Sequence, residues 1–117
     1  MRKRKLIESF QYAFQGIIFC VSHERNMKIH CVAAVLVILS AWRFQVTKVE
    51  WLILLLTIGG VLSLEIMNTA IEKAVDLTTT DVHPLAKVAK DAAAGAVLLF
   101  SCIAVIIGIV IFLPYVF

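Results

Sequence analysis

The sequence predicts an all-α integral membrane protein: three transmembrane helices behind an N-terminal amphipathic helix on the membrane surface. Composition is the first reason. The chain has 117 residues, 62% of them hydrophobic, with a mean hydropathy of +0.97. Soluble domains use roughly 45–50% apolar residues, and a soluble chain this short has too little interior to hide more. The second reason is Ala92–Phe117, a stretch of 26 residues without a charge, where about 20 suffice to span a bilayer. The third is the lack of the long alternating patterns of a β-barrel. No repeat, linker or low-complexity segment divides the chain, so residues 1–117 read as one domain.

The N-terminus opens on MRKRK, which could begin a signal peptide. The apolar run that follows, Ile17–Val21, is too short for one, and no small-residue cleavage site succeeds it. Instead Leu6, Phe10, Ala13, Phe14, Ile17 and Val21 recur at helical spacing, with Glu8, Gln11 and Gln15 between them. That pattern predicts an amphipathic helix on the membrane surface, its basic start near anionic headgroups. The alternative is a fourth helix packed into the bundle. The first apolar segment, Ile29–Trp42, has 14 uncharged residues between Lys28 and Arg43. It covers about 21 Å at ~1.5 Å per residue, so its flanking cations must snorkel to span. The second, Trp51–Leu64, is also 14 residues and reaches full length only if its helix runs on through Glu65 towards Asp76. The third is the charge-free run already noted. Between the last two, Thr80 or Asp81 is suited to cap a new helix, with Pro84 tolerated in its first turn.

Three spans put residues 1–28 and 75–91 on one side of the membrane. That side carries Arg2, Lys3, Arg4, Lys5, Arg25, Lys28, Lys87 and Lys90, against only Arg43 and Lys48 on the other. The positive-inside rule makes the first side cytoplasmic and leaves the C-terminus outside. Cys20, Cys31 and Cys102 form neither a CxxC nor a metal-binding spacing and read as reduced thiols acting as small hydrophobes. Dinucleotide, Walker-type and HExxH motifs are absent. The Gly59–Gly60 pair and the small-residue run AAAGAV after Asp91 read as sites of close helix contact.

The chemistry lies in LEIMNTAIEKAVDL, residues 64–77. With about 100° per residue on a helix, Asn68, Glu72 and Asp76 fall near −60°, −20° and +20° of Glu65. All four share one face, with Glu65 deepest and Asp76 nearest the cytoplasm. Ile66, Met67, Ala70, Ile71, Ala74 and Val75 occupy the other faces. A carboxylate at bilayer depth costs several kcal/mol unless paired, hydrated or metal-bound, so this stripe cannot face lipid. Glu24, in SHERNMKIH, and Lys90 with Asp91, before AAAGAV, arrive at the same interfacial layer. Two carboxylates can hold Mg²⁺, which keeps most of its waters and prefers carboxylate and phosphate oxygens. A lysine can neutralise phosphate, and a deeper, partly desolvated carboxylate can accept a proton. These are parts for phosphoryl transfer from an aqueous donor to a lipid acceptor. On spacing alone, an ion or proton path and a structural polar seam stay open beside catalysis.

The same residues resemble the small prokaryotic integral-membrane lipid kinases, the diacylglycerol kinase/undecaprenol kinase family. The pattern E-x-x-N-[ST]-A-x-E-x-x-x-D, followed at fixed distance by H and K-D, is matched at Glu65, Asn68, Thr69, Ala70, Glu72, Asp76, His83, Lys90 and Asp91. Glu24 and the YAFQG stretch around Tyr12 and Gly16 extend the resemblance over nearly the whole chain. It implies a homotrimer with three spans and a surface helix per subunit, and MgATP as phosphoryl donor to a lipid alcohol. It implies Glu65 as general base, Glu24 and Glu72 as metal ligands, and Lys90 with Asn68 on the phosphates. Asp91 and Asp76 would support them, and Tyr12 and His83 would contact the nucleotide. HERNMKIH resembles the Gram-positive branch, which prefers undecaprenol. The expected partners are therefore the cell membrane, a lipid alcohol and further copies of the chain, with active sites shared between subunits and no nucleic acid. Three spans are expected to be too few to bury the stripe without help from neighbours. Diacylglycerol as the acceptor is the nearer rival; a non-enzymatic ion-conducting or assembly protein is the farther one.

Overall fold

The computed structural model describes residues 5–78 and 83–117, and four helices account for nearly all of them: α1 (Leu6–His23), α2 (Arg25–Phe44), α3 (Lys48–Thr78) and α4 (Pro84–Val116). The last three are long and apolar enough to cross a membrane. The second apolar segment runs on as expected. α3 continues through Glu65 and past Asp76 without a break over 31 residues. α2 exceeds its 14-residue apolar stretch by taking Lys28 and Arg43 into its end turns, reaching 20 residues. At ~1.5 Å per residue α3 and α4 are each about 45–50 Å long, more than the ~30 Å hydrocarbon thickness. The C-terminal turns of α3 and the N-terminal turns of α4 therefore project together from the apolar layer.

Each junction has its own chemistry. Glu24 alone separates α1 from α2, in an extended conformation (φ −98°, ψ 119°), and its side chain caps neither helix. α2 stops at Gln45, which adopts the left-handed conformation (φ 52°, ψ 53°). There Val46 N–H donates to Ala41 C=O at 3.2 Å and Gln45 N–H to Trp42 C=O at 3.3 Å, a Schellman-type closure of the last turn. α3 begins at once through a reciprocal capping box: Glu50 N–H donates to Thr47 Oγ1 (3.2 Å) and Thr47 N–H to Glu50 Oε1 (2.9 Å). Thr80 and Asp81, expected to cap α4, lie outside the described residues. The cap that is described is His83, whose Nδ1 accepts from Leu85 N–H at 3.1 Å, with Pro84 in the first turn as expected.

α3 and α4 make the most extensive helix contact, and α2 packs mainly on α3. Their antiparallel register is visible at three levels. Tyr115 Oη donates to Glu50 Oε1 at one end, Phe100 lies over Gly60 in the middle, and Lys90 pairs with Asp76 at the other end. The apolar cluster of Ala41, Val46, Leu54 and Ile111 closes the bundle beside the α2–α3 turn. Near its C-terminal end α1 packs on the bundle. Cys20 is buried, and Lys73 Nζ of α3 sits 5.8 Å from the centre of the Phe19 ring. Leu6, Phe10 and Phe14, on the apolar face expected for α1, are exposed. The three cysteines are free thiols, as expected.

The glycine pair divides. A Cβ on Gly60 would stand 2.3 Å from the tip of the Phe100 ring, whereas one on Gly59 meets nothing within 4 Å. Only Gly60 serves close packing. Gly60→Ala is expected to destabilise the bundle by about 1–3 kcal/mol through overpacking, while Gly59→Ala gains from higher helix propensity, up to ~1 kcal/mol. Thermal unfolding of both variants in one detergent checks this. Equal midpoints would mean that the Phe100 contact does not constrain the backbone.

Candidate active site

The stripe on α3 follows a gradient of burial. Glu65 is 3% exposed, Asn68 9% and Thr69 5%, Glu72 is half-buried, and the Asp76 side chain is 58% exposed. This is the order of depth expected from helical spacing. One expectation is corrected. Glu65 and Asn68 are enclosed by the helices of a single chain, so their burial needs no neighbouring subunit. The α3–α4 contact and the crossing of α2 suffice, because small residues such as Gly60 and Ala93 let the helices approach.

Around Glu65 the structure assembles groups from three places in the chain. Glu24, at the α1–α2 junction, and Glu72, two turns along α3, are both close enough to act on the Glu65 carboxylate electrostatically. His30 of α2 is closer still, with Nε2 3.4 Å from Glu65 Oε2. That separation suits an ion pair but is long for a hydrogen bond, and among the described residues Oε2 has no hydrogen-bond partner. Asn68 Oδ1 is likewise buried and unpartnered among them. Thr69 closes back on the helix, its hydroxyl donating to Glu65 C=O at 3.2 Å.

At the outer end of the stripe Lys90 Nζ stands 2.6 Å from Asp76 Oδ1 and also feels the charge of Glu72. Glu72 thus lies between the deep carboxylate and the rim lysine. Lys90 thus lies against the Asp76 end of the stripe of its own chain. Asp91 turns away to Lys87, one helical turn earlier, at 2.5 Å. His83 has one ring nitrogen committed to the α4 cap and lines a shallow recess with Val75, Thr78 and Ala86. Tyr12 is half exposed on α1.

Among the described residues no three His, Cys, Asp or Glu side chains gather into a metal cage. Mg²⁺ does not need one: one or two carboxylates plus substrate phosphates and water are its usual shell. Glu24 and Glu72 fit that role. An acidic residue at a helix N-cap ordinarily accepts from the first-turn N–H groups, but the Glu24 side chain makes no capping bond.

Sequence reasoning did not single out three features here. His30 is one, although an ionisable residue inside a 20-residue apolar helix is a signal in itself. The others are Ser101, whose buried Oγ is unpartnered among the described residues, and a cavity of about 220 Å³ between α2, α3 and α4. His30 lines that cavity, together with apolar side chains such as Ala34, Val37, Leu54 and Val61.

A buried carboxylate at the apolar end of one α3 face, with a lysine of α4 meeting its open end, suits an enzyme working across the interface. Comparison with known proteins agrees. The sequence model of prokaryotic diacylglycerol kinase matches residues 11–112. The chain is 49% identical over 110 residues to the undecaprenol kinase of Bacillus subtilis (strain 168), covering 94% of this chain and 89% of that protein. It is 44% identical to the diacylglycerol kinase of Synechocystis sp., over 93% of this chain and 63% of that longer one. It is 31% identical to the diacylglycerol kinase of Haemophilus influenzae, over 90% and 86% of the two chains. The class is thus a membrane-embedded lipid kinase. The chain belongs to the prokaryotic diacylglycerol kinase family.

Proposed function

We propose that the chain transfers the γ-phosphoryl group of ATP to the hydroxyl of undecaprenol, giving undecaprenyl phosphate and thereby recycling a lipid carrier for cell-wall synthesis. The observation that carries this reading is the polarity of one face of α3: a nearly sealed carboxylate, Glu65, at the apolar end and, at the open end, Asp76 paired with Lys90 of α4. Undecaprenol is favoured over diacylglycerol by HERNMKIH around Glu24 and by the 49% identity to a protein named undecaprenol kinase.

In this reading Glu65 takes the proton as the lipid oxygen attacks the γ-phosphorus in line. The new O–P bond forms as the bond to the departing ADP oxygen breaks. Glu24 and Glu72 would hold Mg²⁺, which would supply positive charge to offset that of the phosphates. Lys90 and Asn68 contact the phosphates, supported by Asp76, which pairs with Lys90, and by Asp91. Tyr12 and His83 contact the nucleotide. The chain is one domain in a bacterial cell membrane, with N-terminus and site cytoplasmic and C-terminus outside. α1 lies on the membrane surface, which its exposed Leu6, Phe10 and Phe14 support. Three copies assemble with the outer parts of their sites along subunit boundaries. The support is that Glu24 and Glu72 stay only half covered within one chain.

Purified protein given labelled ATP with undecaprenol or diacylglycerol, side by side, is expected to phosphorylate undecaprenol faster. Glu65→Gln should lower that rate by about 10²–10⁴ while MgATP binding persists. Faster transfer to diacylglycerol would reverse the lipid assignment, and a fully active Glu65→Gln would remove Glu65 from the base role.

Glu24→Gln and Glu72→Gln should each raise the Mg²⁺ concentration needed for half-maximal rate at saturating ATP. Unchanged titrations in both would place the metal elsewhere. In mild detergent, native mass spectrometry should find three copies of the 13.0 kDa chain; a monomer retaining full activity would end the trimeric reading.

A further inference from the structure

His30 takes part in none of the roles above, yet it stands beside the residue on which they turn. It is the ring on α2 that faces Glu65, with Nε2 3.4 Å from Oε2. Glu65 is 3% exposed and its Oε2 lacks a hydrogen-bond partner among the described residues. A buried carboxylate oxygen in that condition is costly, and the group poised to relieve it is this imidazole. Glu24 and Glu72, the other ionisable groups that act on Glu65, are both acidic and can only repel its charge. His30 is the one neighbour among these that can donate to it.

The ring also lines the apolar cavity between α2, α3 and α4. From His30 that cavity extends past Ala34 and Val37 on α2, roughly two helical turns or ~10 Å, towards the far side of the bundle. An acceptor hydroxyl whose tail lies in the hydrocarbon approaches Glu65 from this apolar side. A carboxylate free to turn would offer either oxygen in any orientation. One held through Oε2 keeps Oε1 directed at a single point.

We infer that His30 is a positioning residue for Glu65: with Nε2 carrying its proton, it donates to Oε2 and leaves Oε1 as the atom that receives the proton of the lipid hydroxyl. The inference rests on the reading of Glu65 as the base. The 3.4 Å separation is just beyond hydrogen-bond range. Catalytic hydrogen bonds shorten when the reacting complex forms. Closure by about half an ångström would bring Nε2 into bonding range. The acceptor class that benefits is a long-chain alcohol with its hydroxyl at the cytoplasmic interface.

The test compares His30→Leu, His30→Gln and Glu65→Gln with the wild type, using labelled ATP and undecaprenol. His30→Leu, which keeps bulk but removes the donor, should lower kcat about 10–100-fold, the scale of a misplaced catalytic group. KM for MgATP and the thermal midpoint should hold. His30→Gln places an amide N–H₂ near the Nε2 position and should restore most of kcat. Added to Glu65→Gln, His30→Leu should cost nothing further, because a positioning residue has no effect once its target is gone. An inactive Glu65→Gln beside a fully active His30→Leu would overturn this inference and leave the base intact. If His30→Leu slows Glu65→Gln by the same factor as it slows the wild type, His30 acts elsewhere and the inference also fails. A fully active Glu65→Gln would instead dispose of the base reading itself.

Discussion

A carboxylate more than halfway along a membrane-spanning helix constrains everything around it. Glu65 cannot face hydrocarbon at tolerable cost, so α3 must turn that face inward and other helices must cover it. α4 does so by long antiparallel contact and α2 by crossing at His30. Covering a carboxylate with apolar helices removes it from water, so it must find its polar contacts inside the bundle. The enclosure that the bilayer demands is supplied by the packing of α2 and α4 on α3.

The rest of the stripe follows from helix geometry. Residues at three- and four-residue spacing stay on one face while climbing out of the apolar layer, so their surroundings change from sealed to wet over about three turns. Asn68 keeps a buried, unpartnered oxygen among the described residues, Glu72 is half covered, and Asp76 is open enough to meet a lysine from α4. In the proposed reaction a donor arriving from water and an acceptor arriving from lipid would meet opposite ends of this gradient, at a separation that the helix sets.

How far this was legible in the sequence depended on whether a feature is local. The spans were legible because charge-free runs report burial in lipid directly, and the stripe because spacing on one helix fixes direction. The capping of α4 was not: hydroxyl and carboxylate side chains are the favoured caps, which pointed to Thr80 and Asp81, while His83 fills the role beside Pro84. His30 escaped notice because its meaning lies in a partner 35 positions away on another helix. The burial of Glu65 within one chain was missed for a related reason: three spans look too few to enclose a charge until Gly60 and Phe100 show how closely two of them approach.

That close approach also governs the site from a distance. Glu50 and Asp76 are 26 residues apart on α3, and their partners Tyr115 and Lys90 are 25 apart on α4, so one antiparallel register serves both ends. The exposed Lys90–Asp76 pair does not set that register itself, since solvent screening leaves little net gain in an open ion pair. The interior contacts are the stronger constraint: the Gly60–Phe100 approach and the apolar cluster around Leu54 and Ile111 admit few alternative alignments. A slip of one residue would rotate a helix by about 100° and carry Lys90 off the face that Asp76 occupies. Lys90 therefore stands over the stripe because of packing several turns deeper in the membrane, and its ion pair with Asp76 is a consequence of that alignment, not its cause.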